Sequence, residues 1–262
     1  MGSLIEWTNK TWNPTTGCSE VSRGCTNCYA KEISQGNHKM GVSGYDFEFN
    51  LTVHHDRLDN PKEWASPQFV FVNSMSDLFH ERVPEDFIFE VFETMNEADH
   101  HVYQVLTKRA ERVKTLGSYL PWDHHIWMGV SVESQDVKHR IDDLRRSDAD
   151  FKWISAEPLV GPLPDLDLSG IDWLVIGGES GDVDEIEEIN PDWMRDIIAQ
   201  CREQGVTPFV KQMGQVWSDK NDATDRHGGY ILDWPEDLRV REVPEVVPNQ
   251  PSLTEMKGIE KL

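Results

Sequence analysis

Basic residues are scarce in this chain. Across 262 residues, 25 lysines and arginines stand against 47 aspartates and glutamates, a formal net charge of −22. The excess is spread along the whole sequence, not gathered in a tail. It argues against strong nonspecific binding to phosphate backbones at ordinary salt. An evenly acidic surface instead suits a high-salt cytoplasm, where screening relieves self-repulsion, and the charge reads as halophilic adaptation. No apolar run reaches the length of a membrane helix, and the start, MGSLIEWTNK, has no basic segment followed by an apolar one. The expectation is a soluble cytoplasmic protein with no membrane association. Cysteine is also scarce, at four, and three of these are clustered. That is no secreted disulfide framework; in a reducing compartment it points to a metal or redox role.

Tryptophan is plentiful at ten, which excludes disorder and, with the length, provides for a substantial core. From residue 69 onward the pattern alternates. Short continuous apolar runs at Phe69–Asn73, His101–Thr107, His125–Val132, Phe151–Ser155, Trp173–Ile176 and Pro208–Lys211 read as strands buried on both faces. Between them Pro84–Ala98, Ala110–Leu116, Gln135–Arg146 and Pro191–Gly205 carry apolar residues at helical spacing, the last with Pro at its start and Gly at its end. This grammar predicts an α/β fold with parallel strands, a partial or complete (β/α) barrel; an open doubly wound sheet is the alternative. Residues 1–217 read as a single barrel domain with an N-terminal cysteine loop, and 218–262 as an irregular acidic C-terminal extension. Before the alternation begins, Tyr29–Gln35 is expected to be a short helix, Gly36–Gly44 a flexible loop and Asp46–Val53 a strand or extended arm.

The cysteines lie in Thr15–Ala30 (TTGCSEVSRGCTNCYA), as Cys18, Cys25 and Cys28 in a C-x6-C-x2-C pattern. Three thiolates on one loop hold a metal centre with one position left over, which fits an iron–sulfur cluster or an incomplete zinc site. Polar residues recur at the strand ends: Asn13 and Thr16, Asn73–Asp77, Lys108 and Arg109, Ser131 and Glu133, Glu157, Gly177–Gly181, and Lys211 with Gln212. In a parallel barrel these ends share one face, where active sites are built. Two other readings compete. A structural zinc would take His38, His54 or His55 as its fourth ligand and make the protein a binding module. A barrel hydrolase would use a pair among Glu133, Glu157 and Glu179 as acid and base. Cys201 falls on the apolar face of a helix and reads as core, Asp182–Glu188 as a solvated acidic loop, and His100–His101 and His124–His125 as surface residues at the strand starts.

The cysteine loop resembles that of the radical S-adenosylmethionine (SAM) superfamily, whose commonest spacing is the shorter C-x3-C-x2-C. Together, TWNPTTGC…GCTNCYA, NSMSD, VLTKR, GVSVE, ISAEPLVGP, GGESG and FVKQMG look like a phage- and prophage-associated family. That family is described as three-cysteine, radical-SAM-like and of unknown function, and the likeness covers roughly residues 5–217. The resemblance implies a 4Fe–4S cluster on Cys18, Cys25 and Cys28, SAM as cosubstrate and an electron donor. Reductive cleavage of SAM would give methionine and a 5′-deoxyadenosyl radical that takes hydrogen from substrate. It further implies that Asn73, Ser74, Ser76 and Asp77 receive the SAM amine, that Lys108 or Arg109 pairs with its carboxylate, and that Ser131 and Glu133 take its ribose hydroxyls. Gly177 and Gly178 would allow close approach to adenine or substrate, with Glu157, Glu179 and Lys211 around the substrate. A nucleobase, nucleotide or nucleic acid is the substrate class the likeness implies.

Overall fold

The computed structural model describes residues 5–181 and 184–244. In chain order its strands are β1 (Lys10–Trp12), β2 (Thr15–Thr16), β3 (Thr52–Val53), β4 (Phe69–Val72), β5 (Val102–Thr107), β6 (Ile126–Ser131), β7 (Phe151–Ala156), β8 (Trp173–Gly177) and β9 (Thr207–Gln212). The helices are α1 (Tyr29–Lys39), α2 (Glu85–Glu97), α3 (Ala110–Leu116), α4 (Arg140–Leu144), α5 (Pro191–Gln204) and α6 (Gln215–Lys220). Seven strands form one parallel sheet in the order β1-β4-β5-β6-β7-β8-β9. The order never reverses, so the switch point of a doubly wound sheet is absent among the described residues. The sheet curls into a half-barrel. Trp7, just ahead of β1, meets Trp153 of β7 at 5.2 Å and Trp173 of β8 at 6.3 Å between ring centroids, a reach that a flat sheet of this order forbids.

Strand alternation explains what each face carries. On the convex side Val70, Val72, Tyr103, Val105, Met128, Val130, Ile154, Leu174, Ile176 and Val210 pack under the helices. Helix α2 contributes Phe87, Ile88, Val91, Phe92 and Met95 at i, i+3 and i+4 spacing, each worth roughly 1.5–3 kcal/mol when fully buried. Helix α5 starts at Asn190, whose side chain accepts from the Asp192 amide, and stops at Gly205 with φ 73°. Cys201 is fully buried with Met194 and Ile197 on its inner face, as expected. On the concave side Phe69, Phe71, Trp127, Trp153, Trp173 and Phe209 fill the lower half. Gly129 of β6 leaves the room: a Cβ there would stand 2.4 Å from the Trp153 ring.

Several local expectations are corrected. Helix α1 continues to Lys39, taking the first four residues of the stretch expected to be a loop, and Asp46–Val53 contributes only the two-residue β3, paired antiparallel to β2. The stretch 135–146 is not one helix but a 3₁₀ turn, Gln135–Val137, followed by α4. Helix α4 begins at Arg140, whose buried guanidinium donates to Ser131 O (2.8 Å) at the end of β6 and to Glu133 Oε2 (2.7 Å). His101 and His125 are fully buried, not surface residues. Each ring bonds a main-chain carbonyl, Pro61 O at 3.0 Å and Met95 O at 3.1 Å. Beyond α6, Trp234 and Leu238 join the convex core, and Arg241 bridges to Phe209 beside β9. No helix among the described residues is long and apolar enough to cross a membrane.

Candidate functional site at the mouth of the half-barrel

The alternation that places aromatics low on the concave face continues upward into polar residues: Trp127–Gly129–Ser131–Glu133, Trp153–Ser155–Glu157 and Trp173–Val175–Gly177–Glu179 share the inward parity. The cysteine loop lies across this mouth. It leaves β1 and is anchored at once by the NSMSD turn. Asn13 Oδ1 accepts from Met75 N (2.9 Å), Asn73 exchanges bonds with Thr15, and Ser76 Oγ donates to Gly17 O (2.6 Å). Gly17 is required here, because its φ is 78° and a Cβ would lie 2.1 Å from Asn50 O. Asn73, Ser74 and Ser76 thus hold the cysteine loop in place, with Ser74 O accepting from the Tyr29 hydroxyl at 2.6 Å.

Three strand-end residues then clip the loop along its length. At Cys18 the clip is Arg109. Its Nη1 donates to Cys18 Sγ (3.5 Å) and Asp77 Oδ2 (3.1 Å), its Nη2 to Ser19 O (3.0 Å), and its Nε to Glu81 (3.0 Å). Asp77 is saturated, since it also accepts from Thr107 Oγ1 (2.6 Å) and the amides of Phe79 and Lys108 (3.0 Å each). Burial, reinforced by Asp77, outweighs Arg109 and pushes the Cys18 thiol up to about 11. At mid-loop the clip is Glu133, with no exposed surface. It takes Ser22 and Lys108 Nζ (3.1 Å) on one oxygen and Arg140 on the other. Burial raises its pKa, yet the Lys108 and Arg140 charges prevail and hold the carboxyl below its ordinary value. Gly24 rides directly over it; a Cβ would stand 2.6 Å from Glu133 Oε1. The third clip is Glu179, which accepts from Asn27 Nδ2 (3.1 Å) between Cys25 and Cys28 and from Glu187 N (3.2 Å). The acidic stretch expected to be solvated therefore leans on the loop: Glu185 O accepts from Asn27, Arg23 pairs with Glu187, and Ile186 is buried. Its first two residues, Asp182 and Val183, lie outside the described residues.

Held this way, Cys18, Cys25 and Cys28 line one open cavity of about 320 Å³ with Ser19, Glu20, Lys31 and Phe49. Cys28 caps α1, whose N-terminal partial charge favours an anion there. Glu20 is paired with Lys31 (3.2 Å). The histidines considered as a fourth ligand are turned elsewhere: His38 to Tyr45 O, His54 to Thr16 Oγ1 and His55 to Glu90.

The β7–β9 side of the mouth is different. Lys211 Nζ lies 3.4 Å from Glu157 Oε1, a buried oxygen with no hydrogen-bond partner among the described residues. Gly177 makes room for it, as a Cβ there would be 2.3 Å away. Glu6 completes the group; burial raises its pKa against the pull of Lys211. Gly178, just after β8, packs against the Met213 carbonyl, where a Cβ would stand 2.4 Å from its oxygen. Nearby, a cavity of about 470 Å³ is lined by Tyr29, Glu32, Ser180, Gly181, Gln215, Arg226 and His227. Ser22, Gly24, Asn27, Arg140 and Glu6 were not anticipated from sequence. The first three stand inside the cysteine motif, so their position was a signal; Arg140 and Glu6 had none.

Fold and site together define a parallel half-barrel with a three-thiol pocket at its strand-end mouth. The chain belongs to the family described as "Protein of unknown function (DUF5131)", which it matches over residues 2–240. Comparison with curated proteins gives no match. Among solved structures the chain is similar to a cysteine-to-alanine mutant of spore photoproduct lyase with dinucleoside spore photoproduct, at TM-score 0.44 and 14% identity. It is also similar to spore photoproduct lyase complexed with dinucleoside spore photoproduct, at TM-score 0.41 and 14% identity. Both alignments cover 72% of this chain and 60% of that chain, less than two thirds of the neighbour's length.

Proposed function

We propose that this protein is a radical-SAM-like enzyme that carries a 4Fe–4S cluster on Cys18, Cys25 and Cys28 and uses SAM as cosubstrate. The observation that carries the reading is the cavity shared by the three thiols, with none of His38, His54 and His55 turned toward it. When bound, such a cluster supplies one electron to SAM and so gives access to a 5′-deoxyadenosyl radical. The chain's own residues hold and shape the site. Arg109 donates to the Cys18 sulfur and offsets negative charge there. Glu133 and Glu179 fix the loop between the cysteines. Loading the site removes the proton that Cys18 holds at neutral pH.

In this reading, Glu157 and Lys211 contact substrate on the β7–β9 side, and the cavity lined by Arg226 and His227 receives an anionic group of SAM or substrate. The substrate class proposed, a nucleobase, nucleotide or nucleic acid, rests on the sequence resemblance, as do the phage association and the electron donor. The test is anaerobic reconstitution with iron and sulfide, followed by reduction in the presence of SAM. The expected result is 5′-deoxyadenosine formation that disappears in Cys25→Ala. One equivalent of tightly held zinc with no iron, or a cluster that leaves SAM intact, overturns the reading.

A further inference from the structure

At the opposite end of the half-barrel from the cysteines, where β6 begins, Asp123, His124 and His125 place one ligand atom each within 4.8 Å of one another. The decisive member is His125. Its side chain is fully buried, and Nε2 lies 3.1 Å from Met95 O at the end of α2. A carbonyl oxygen only accepts, so Nε2 must carry the proton, and Nδ1 is left with its lone pair. That Nδ1 has no hydrogen-bond partner among the described residues. It faces Asp123 Oδ1 at 3.9 Å, too far for a hydrogen bond and with acceptor opposite acceptor. A buried imidazole nitrogen without a partner is costly unless something is bound to it.

A metal-ligating histidine has this arrangement, with one ring nitrogen donating to a main-chain carbonyl and the other directed at the ion. His124 Nδ1 sits 2.5 Å from the same Asp123 Oδ1, and both residues are half-exposed, so an ion has a route in. Donors at roughly 2.0–2.1 Å from a tetrahedral ion stand about 3.4 Å apart. The 2.5 Å contact must therefore open and the 3.9 Å contact close, each by a small side-chain rotation. Asp99, within electrostatic reach of His125, adds negative potential.

We infer that Asp123, His124 and His125 form a binding site for a first-row divalent cation of the zinc type, through one carboxylate and two imidazoles. Two nitrogens and one oxygen suit zinc and its neighbours and disfavour magnesium and calcium, which take oxygen ligands. The ion would tie the start of β6 to the end of α2 through the His125–Met95 bond, and the site is independent of the cysteine cavity.

The test uses the full chain with Cys18, Cys25 and Cys28 replaced by Ser, so that thiolates do not compete for metal. Equilibrium dialysis against zinc is expected to show one equivalent bound, with affinity falling at least about tenfold in Asp123→Asn and in His124→Ala. Both residues are exposed enough for these variants to fold. Zinc is also expected to raise the melting temperature of the parent and not of the variants. If the serine background fails to fold, cobalt titration of the wild-type chain decides. Cobalt at the cysteines shows thiolate charge-transfer absorption, and cobalt at this site shows only weaker nitrogen–oxygen bands that Asp123→Asn and His124→Ala abolish. Substoichiometric zinc, or a full equivalent held equally well by both variants, overturns the inference.

Discussion

The two halves of the barrel mouth use the same kinds of residue in opposite ways. On the β4–β6 side Asp77, Arg109, Lys108 and Glu133 have their polar atoms engaged with one another or with the cysteine loop. On the β7–β9 side Glu157 keeps a buried oxygen without a hydrogen bond, and Lys211 approaches it only at 3.4 Å. A saturated buried network makes a rigid platform; an unsatisfied one has capacity left for a ligand. If the site works as proposed, the contrast divides labour across the mouth, with one half holding the cysteine loop and the other left for substrate.

The sharpest way to break that contrast is at Glu133. Glu133→Gln leaves the Lys108 and Arg140 charges buried without a full counter-charge, and is expected to cost about 3–5 kcal/mol in urea denaturation. Its pH dependence has a definite sign. The folded pKa lies below the ordinary glutamate value of 4.5, so the wild-type contribution is complete above pH 4.5 and is lost as pH falls through the lower folded value. Wild type should therefore lose stability more steeply than the variant below pH 4.5. Next in size is Cys18. With its pKa pushed from 9.0 to about 11, the metal-free protein at pH 8 holds about a hundredfold less thiolate at this position than a free cysteine. Iodoacetamide labelling read by mass spectrometry should show Cys18 alkylated that much more slowly, and an ordinary rate would show that burial beside Asp77 does not hold that thiol protonated.

Two glycines of the same region extend the comparison at smaller scale. Gly24→Ala drives a Cβ to 2.6 Å from a Glu133 side chain that its partners hold in place, and should cost about 1–3 kcal/mol. Gly36→Ala, within α1 and with nothing inside 4 Å, should instead stabilise by about 0.5–1 kcal/mol. Thermal denaturation of the two variants side by side checks both signs.

The strand–helix alternation was legible because buried parallel strands are short continuous apolar runs, and all six strands from Phe69 onward fall where those runs stand. The polar strand ends were legible as a set for the same reason: period two carries Glu133, Glu157 and Glu179 inward above Trp127, Trp153 and Trp173. What each end touches was not legible. That Glu133 meets Ser22 and Arg140, or Glu179 meets Asn27, depends on how the 13–28 loop crosses the mouth, and no local pattern encodes that path. The buried state of His101 and His125 was missed because a histidine ahead of a strand looks polar until the carbonyl that receives its N–H, Pro61 O or Met95 O, is known.

The smallest structural effect is expected at Glu157, and it decides the most about function. Glu157→Gln keeps the shape that Gly177 accommodates and removes one charge beside Lys211, which Glu6 still faces. Little hydrogen bonding is lost, so stability should change by no more than about 1 kcal/mol, against the several kcal/mol at Glu133. If the β7–β9 half serves substrate, this variant should assemble the same cluster and show the same iron content as wild type, with turnover of substrate reduced. If Glu157→Gln instead lost iron or unfolded as Glu133→Gln does, the two halves would share one structural role, and the substrate side would have to be sought in the cavity lined by Arg226 and His227.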